Sequence, residues 1–190
     1  MNSPDVEQQK KRNRRVLLTI ALVFILPLTL AKLVLALGWY EPGVSQKGNL
    51  VEPELQIHTD DNAMLPATWR IAYRMPETCD SACENALYVS GQLFHALGRQ
   101  QSRVTPVAIR GGEAADTLPS LPEDNTVQLL TVEGAYQQLG AIPEHSLMII
   151  DPVGTVILWY PGSADRREAI LHGRDLLSDL QKLLKLSRVG

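Results

Sequence analysis

The chain has two cysteines, and both lie in one short stretch, Met75-Pro-Glu-Thr-Cys79-Asp-Ser-Ala-Cys83-Glu-Asn-Ala-Leu87. A strand-like run, Trp69-Arg-Ile-Ala-Tyr73, enters it, and a helix-like run from Ala82 to Leu97 leaves it. The rest of the chain must bring this pair to a place, hold it or complete it. Ser81-Ala-Cys-Glu84 reads as a capping box, with Ser81 as the cap and Glu84 reaching back to it. That puts Cys83 in the first helical turn, where the helix dipole and unpaired amides favour thiolate over thiol. Cys79 falls on the loop just ahead.

The N-terminal region sets the compartment. Lys10, Lys11, Arg12, Arg14 and Arg15 precede an uncharged run that starts at Val16 and, interrupted by Lys32, reaches Leu37. Twenty-two residues of helix span roughly 33 Å, enough to cross the hydrocarbon layer. Pro27 is tolerated in such a helix, and Lys32 lies close enough to its end to snorkel outward. Trp39 and Tyr40 then stand where an interfacial aromatic belt belongs. Ala36-Leu-Gly38 would serve as a signal-peptide cleavage site, but the apolar run exceeds the usual signal core of about 7–15 residues. A retained single-pass anchor over residues 16–38 is the expectation, embedded in the lipid bilayer. The basic flank keeps residues 1–15 cytoplasmic and sends the remainder across. Residues 1–15 carry five basic and two acidic side chains, so the overall charge of −3 leaves −6 for the rest. No basic patch follows the anchor, which argues against nucleic acid as a partner.

In an oxidising compartment two cysteines default to a structural disulfide. A bridge closing so small a loop constrains the unfolded chain little, so a functional pair is the stronger reading. The pair can switch between dithiol and disulfide. Its three-residue spacing, wider than the common two-residue redox form, also leaves room for a metal between the sulfurs. Two thiolates plus an imidazole make a trigonal soft site of the kind copper prefers, whereas structural zinc wants a fourth ligand. His95 lies about three turns along the helix from Cys83, His172 in the terminal helix, and His58 on the approach segment. His145 opens a later strand whose entry would face the cysteine loop. It is the candidate third ligand, with ordinary polar strand-edge chemistry as the alternative.

Residues 39–67, rich in Pro, Gly and polar side chains, read as a tether whose strand-like piece is Leu55-Gln-Ile57. From residue 68 the pattern is regular. After the first strand and helix come a strand at 104–109, a loop at 110–124, a strand at 127–132, a short helix at 133–139, strands at 147–150 and 156–160, and an amphipathic helix at 165–186. Val127–Val132 and Leu147–Ile150 both read as buried strands. The order β-α-β-loop-β-α-β-β-α predicts an α/β domain over 68–190 with a mostly parallel sheet and an antiparallel hairpin at Asp151–Gly154. A cysteine pair between a strand and the next helix is how a thioredoxin-like domain presents its site.

Cys79-x-x-x-Cys83 and, far downstream, His145-Ser-Leu-Met-Ile-Ile-Asp-Pro-Val-Gly154 together resemble the Sco/SenC family over roughly residues 66–186. These are membrane-anchored, thioredoxin-like copper proteins of cytochrome c oxidase assembly. The resemblance implies a thioredoxin-like domain with a central mixed sheet behind the transmembrane helix. It further implies Cu(I) on Cys79, Cys83 and His145, delivery to oxidase subunit II or work alongside other assembly factors, and a periplasmic domain on a bacterial inner membrane. Where the family carries proline after each cysteine, this chain has Asp80 and Glu84, carboxylates that oppose thiolate formation and attract cations. Two other readings stand beside this one. One is a periplasmic thiol–disulfide reductase with Ile142-Pro143 as its cis-proline; the other is a non-catalytic assembly scaffold.

Overall fold

The computed structural model describes residues 4–37, 46–112 and 126–187. It divides into two units, Met1–Ser45 and Gln46–Gly190. In the first, helix α1 (Pro4–Ala36) contains Asn13–Val34, the one helix among the described residues long and apolar enough to cross a membrane. Its two threonine hydroxyls bond back to the helix backbone, as a hydrocarbon environment would require: that of Thr19 donates to Arg15 O at 2.8 Å and that of Thr29 to Leu26 O at 2.9 Å. Trp39 and Tyr40 lie outside the described residues, as does most of the loop at 110–124.

The second unit is a six-stranded mixed sheet between helices. Strand β1 (Asn49–Gln56), helix α2 (Thr59–Ala63), β2 (Trp69–Arg74), α3 (Ser81–Ala96), β3 (Val104–Arg110), β4 (Gln128–Thr131), α4 (Glu133–Gln138), β5 (Leu147–Ile150), β6 (Thr155–Tyr160) and α5 (Arg166–Leu186) follow in sequence. In space the strands run β1-β6-β5-β2-β3-β4. Alternation along β2 splits the interior in two. Ile71 and Tyr73 join α3 and α5 in one core with Cys83, Leu87, Leu176 and Leu180. Ala72 joins Ile109, Ala135, Leu139 and Met148 in the other, beneath α4. The thioredoxin-like, mixed α/β expectation therefore holds.

Three local expectations change. Two ladders are parallel (β2–β3, β3–β4) and three antiparallel (β1–β6, β6–β5, β5–β2), so the sheet is not mostly parallel. The hairpin inserts beside central β2 and lays β5 against it with Tyr73 opposite Leu147. The stretch read as tether also contributes β1, which pairs Asn49 with Trp159 and Gln56 with Thr155. Only Val51 and Leu55 of that strand are half-buried, so backbone pairing to β6 forms it rather than any apolar alternation. Strand β4 sits at the sheet edge and is half-exposed rather than buried, whereas every residue of β5 is buried.

The entry of the chain into this unit is held by one carboxylate. Asp179 on α5, 2% exposed, accepts the amides of Lys47 (2.5 Å) and Gly48 (3.0 Å), the Tyr160 hydroxyl (3.0 Å) and the Lys182 ammonium (3.0 Å). Burial disfavours its ionised form, but these donors outweigh it and hold the carboxyl below its ordinary value. A carboxylate depressed in the fold stabilises it above the unfolded value, near 4, and that contribution is lost as pH falls through the folded value. Asp179→Asn should thus cost about 1–3 kcal/mol at pH 7. Urea titrations of both proteins should show the gap closing below about pH 4; a gap independent of pH would mean the charge contributes nothing.

Candidate functional site

Central β2 delivers the site. All but its last residue are buried, and the chain leaves the sheet with Met75 N donating to Ile109 O at 2.9 Å. The helix cap is Asp80 rather than Ser81. Its extended backbone and its Oδ1, which accepts Cys83 N at 2.9 Å, set the start of α3. Glu84 N donates to the Asp80 carbonyl at 2.9 Å, so the box expected between Ser81 and Glu84 does not form. Both Asp and Ser make good caps, but Asp80 lies where the chain turns out of the loop, and its carboxylate makes a charge-assisted bond to the amide. The cost falls on the thiols. The amide that would have favoured a Cys83 thiolate is already taken, by a negative charge.

Cys79 and Cys83 are joined in a disulfide with Cα atoms 5.2 Å apart. The separation is below that of four helical residues because Cys79 stands outside the helix. The two sulfurs differ in environment. Cys83 is 0% exposed and part of the core, whereas Cys79 is half-buried and packs against that core from the loop.

His145 comes to the same place from the opposite direction. It sits in the turn that opens β5, where Ser146 N reaches back to Pro143 O at 3.4 Å, and its backbone is left-handed, with φ 60°. Because β5 runs antiparallel to β2, this turn lies beside the end of β2 and the cysteine loop. The imidazole Nδ1 is 3.4 Å from the Tyr73 hydroxyl, and Nε2 is 3.7 Å from Asp80 Oδ2. The Cys83 amide chiefly, with His145 adding, holds the Asp80 carboxyl below its usual range, so it is ionised. Burial, with Asp80 and Glu144 adding, pushes the Tyr73 phenol well above its ordinary value, so it stays protonated and can donate to or accept from either imidazole tautomer.

The other histidines stand apart. His58 and His95 are exposed, and His172 donates from Nδ1 to Pro161 O at 2.8 Å. Among the described residues no three of His, Cys, Asp and Glu stand ready for a metal, and a closed disulfide has no thiolate to give one. The donor set nonetheless suits a soft cation once the bridge opens. Two sulfurs then adjoin the residue that Nε2 faces, and Tyr73 backs the ring at Nδ1, as outer-shell partners of metal-bound histidines do.

A cleft of about 350 Å³ borders His145, lined also by Arg74, Pro76, Glu77, Tyr136 and Glu144. The Arg74 guanidinium lies 4.0 Å above the Tyr136 ring, and its Nε donates to Tyr136 O at 3.0 Å. Sequence pattern does not point to Tyr73 or Arg74, and it shows Asp80 only as a carboxylate beside the thiols, not as the helix cap and neighbour of His145. For Asp80 a signal was present: Asp80-Ser-Ala-Cys83 is itself a cap with its acceptor three residues before the donor. The Ile142–Pro143 bond is not cis; the cis bond among the described residues is Glu52–Pro53.

Residues 69–187, from β2 through α5, match the family described as transmembrane-like, thioredoxin-like, C-terminal domain. The match spans more than half of the chain. The protein belongs to this family. Both cysteines, Tyr73, Asp80 and His145 fall inside the family's domain, while α1 and β1 precede it. No curated protein matches the sequence. A similar solved structure is that of Bradyrhizobium japonicum ScoI with copper bound, at 13% identity and a TM-score of 0.40, over 70% of this chain and 98% of that one. A likeness at that level carries neither ligand nor role across.

Proposed function

We propose that this is a membrane-anchored, periplasm-facing, Sco-like protein that assists cytochrome c oxidase assembly by holding Cu(I) between Cys79, Cys83 and His145. The observation that carries the reading is the imidazole of His145, held 3.7 Å from the residue that follows Cys79 and caps the Cys83 helix. Thiolates and an imidazole select a soft cation, and a three-donor site suits an ion that is handed on. Oxidation to the disulfide would empty it. The resemblance in the cysteine and histidine motifs is what directs the ion to oxidase subunit II.

The full-length chain, purified in detergent and titrated against a chromophoric Cu(I) chelator, should take one Cu(I) when reduced and none when oxidised. His145→Ala should weaken binding by more than about tenfold, since even outer-shell partners cost that much. Equal affinity in wild type and His145→Ala would remove the third ligand.

One observation favours a second reading, thiol–disulfide exchange. A half-buried Cys79 beside a fully buried Cys83 is the asymmetry of an attacking and a resolving sulfur. In that case the dithiol would pass two electrons to a partner's disulfide, which would leave as a dithiol, and the reduced chain would turn over a model disulfide without copper.

The proposed orientation has its own test. Five basic residues precede the apolar run that starts at Val16, and such a flank holds that end in the cytoplasm. Alkaline phosphatase fused after Gly190 should be active; an inactive fusion, with a cytoplasmic reporter active instead, would reverse the topology.

A further inference from the structure

We infer that the loop from Pro161 to Ala164, between β6 and α5, is the positioning element for His145, and that Gly162 is the residue on which it depends. The inference rests on the proposed role of His145 and extends it to residues that touch neither sulfur nor ion.

A left-handed backbone at a non-glycine residue persists only where surrounding structure determines it. Among the described residues His145 is the one case. What determines it is the close approach of Gly162. A Cβ built on Gly162 would fall onto the His145 carbonyl oxygen and stand 2.8 Å from its carbonyl carbon and 2.9 Å from its Cβ. Only a residue without a side chain lets the loop lie flat on the His145 backbone.

The same loop is tied to the helix that carries Cys83. Asn85, 8% exposed and two residues beyond Cys83, donates from Nδ2 to Ser163 O (3.2 Å) and Ala164 O (2.9 Å). His172 holds the loop from α5 through Pro161 O at 2.8 Å. The loop is therefore a bracket. It grips the cysteine helix through Asn85 and the His145 backbone through Gly162, and so sets how far the imidazole stands from the cysteines. Tyr73 completes the arrangement at the ring.

The test uses the full-length chain in detergent, as wild type, Gly162→Ala, His145→Ala and the double variant, with native packing checked by near-ultraviolet circular dichroism. Reduced Gly162→Ala should lose about tenfold or more in Cu(I) affinity, the loss typical of an outer-shell change. The double variant should bind no more weakly than His145→Ala alone, because Gly162 acts only through the imidazole. General damage to the site would instead weaken binding further in the His145→Ala background. Full affinity in Gly162→Ala beside a weakened His145→Ala, or additive losses in the double variant, would overturn the bracket and leave the copper reading standing.

If wild type and His145→Ala bind alike, the copper reading has failed, and the oxidised, copper-free protein decides. A nuclear Overhauser contact between the His145 and Tyr73 rings should be present in wild type and absent in Gly162→Ala; its survival there refutes the inference. Should Gly162→Ala not fold, Asn85→Ala frees the bracket from the cysteine helix without adding an atom at His145, and is read in the same two ways.

Discussion

Serine at position 79 or 83 should abolish Cu(I) retention, yet the two variants should behave differently under oxidation. One thiolate and one imidazole leave a two-donor site, and the ion loses the second soft ligand that selects it. In Cys83→Ser the surviving sulfur is Cys79, half-buried on the loop before the helix. It is open to a second molecule, so the protein should run as a disulfide-linked dimer on a non-reducing gel and react readily with an alkylating reagent. In Cys79→Ser the surviving sulfur is Cys83, with no exposed surface, packed in the core with Tyr73 and Leu87. That variant should remain a monomer and resist alkylation until it is unfolded. Equal dimerisation by the two variants would contradict the asymmetry, and wild-type copper affinity in either would contradict the ligand set.

Replacing Arg70 should be strongly destabilising, about 3–5 kcal/mol for Arg70→Met, as buried neutral acceptors lose their donors. Arg70 points from β2 into the face away from Cys83 and is 0% exposed. Its Nη1 donates to Asn62 Oδ1 at 2.7 Å, its Nη2 to the carbonyls of Asp151 and Pro152 at 2.9 and 3.0 Å, and its Nε to Thr68 O at 3.2 Å. Burial pulls the guanidinium down to about 10, with Asp151 acting the other way, so it stays charged at neutral pH. One planar fork thus satisfies acceptors on α2, on the approach to β2 and in the turn at 151–154. Methionine fills much of the volume but leaves those acceptors without donors, at about 1–3 kcal/mol for each that stays buried. Lysine should rescue little, because a single ammonium cannot span them. Thermal unfolding should fall by roughly 10 °C, taking 2–4 °C per kcal/mol. The turn lies at the opposite end of β5 from His145, so the protein that remains folded should still take one Cu(I). A fall of only a degree or two would mean that water replaces the guanidinium without cost.

Local chemistry made much of this protein legible. The apolar run after five basic residues determines a helix long and apolar enough to cross a membrane, because that property depends on length and composition alone. The strand, loop and helix around Cys79 and Cys83 were also readable, as were β5, the turn at 151–154 and α5, each carrying its own periodicity or turn residues. In the turn, Asp151 Oδ1 accepts the amides of Val153 and Thr155 at 3.0 and 2.8 Å, and Gly154 takes φ 98°, a conformation glycine adopts freely.

What the sequence could not determine was everything that depends on a distant neighbour. Strand β1 has no apolar alternation and contains Pro53; it exists because β6, with Thr155 opposite Gln56 and Trp159 opposite Asn49, offers it hydrogen-bonding partners from the far end of the sequence. Asp80 and Ser81 are equivalent caps on paper, and the exit of the chain from β2 chose between them. Sequence position singles out His145 among the four histidines, but its partners do not follow from sequence: the antiparallel insertion of β5 beside β2 sets its turn next to the cysteine loop, between Tyr73 and Asp80. Its left-handed backbone, and the need for glycine at position 162, arise only where two loops press together. Propensity and pattern act over a few residues, whereas ladder pairing and close packing join residues far apart in sequence, and the site is built almost wholly from the second kind.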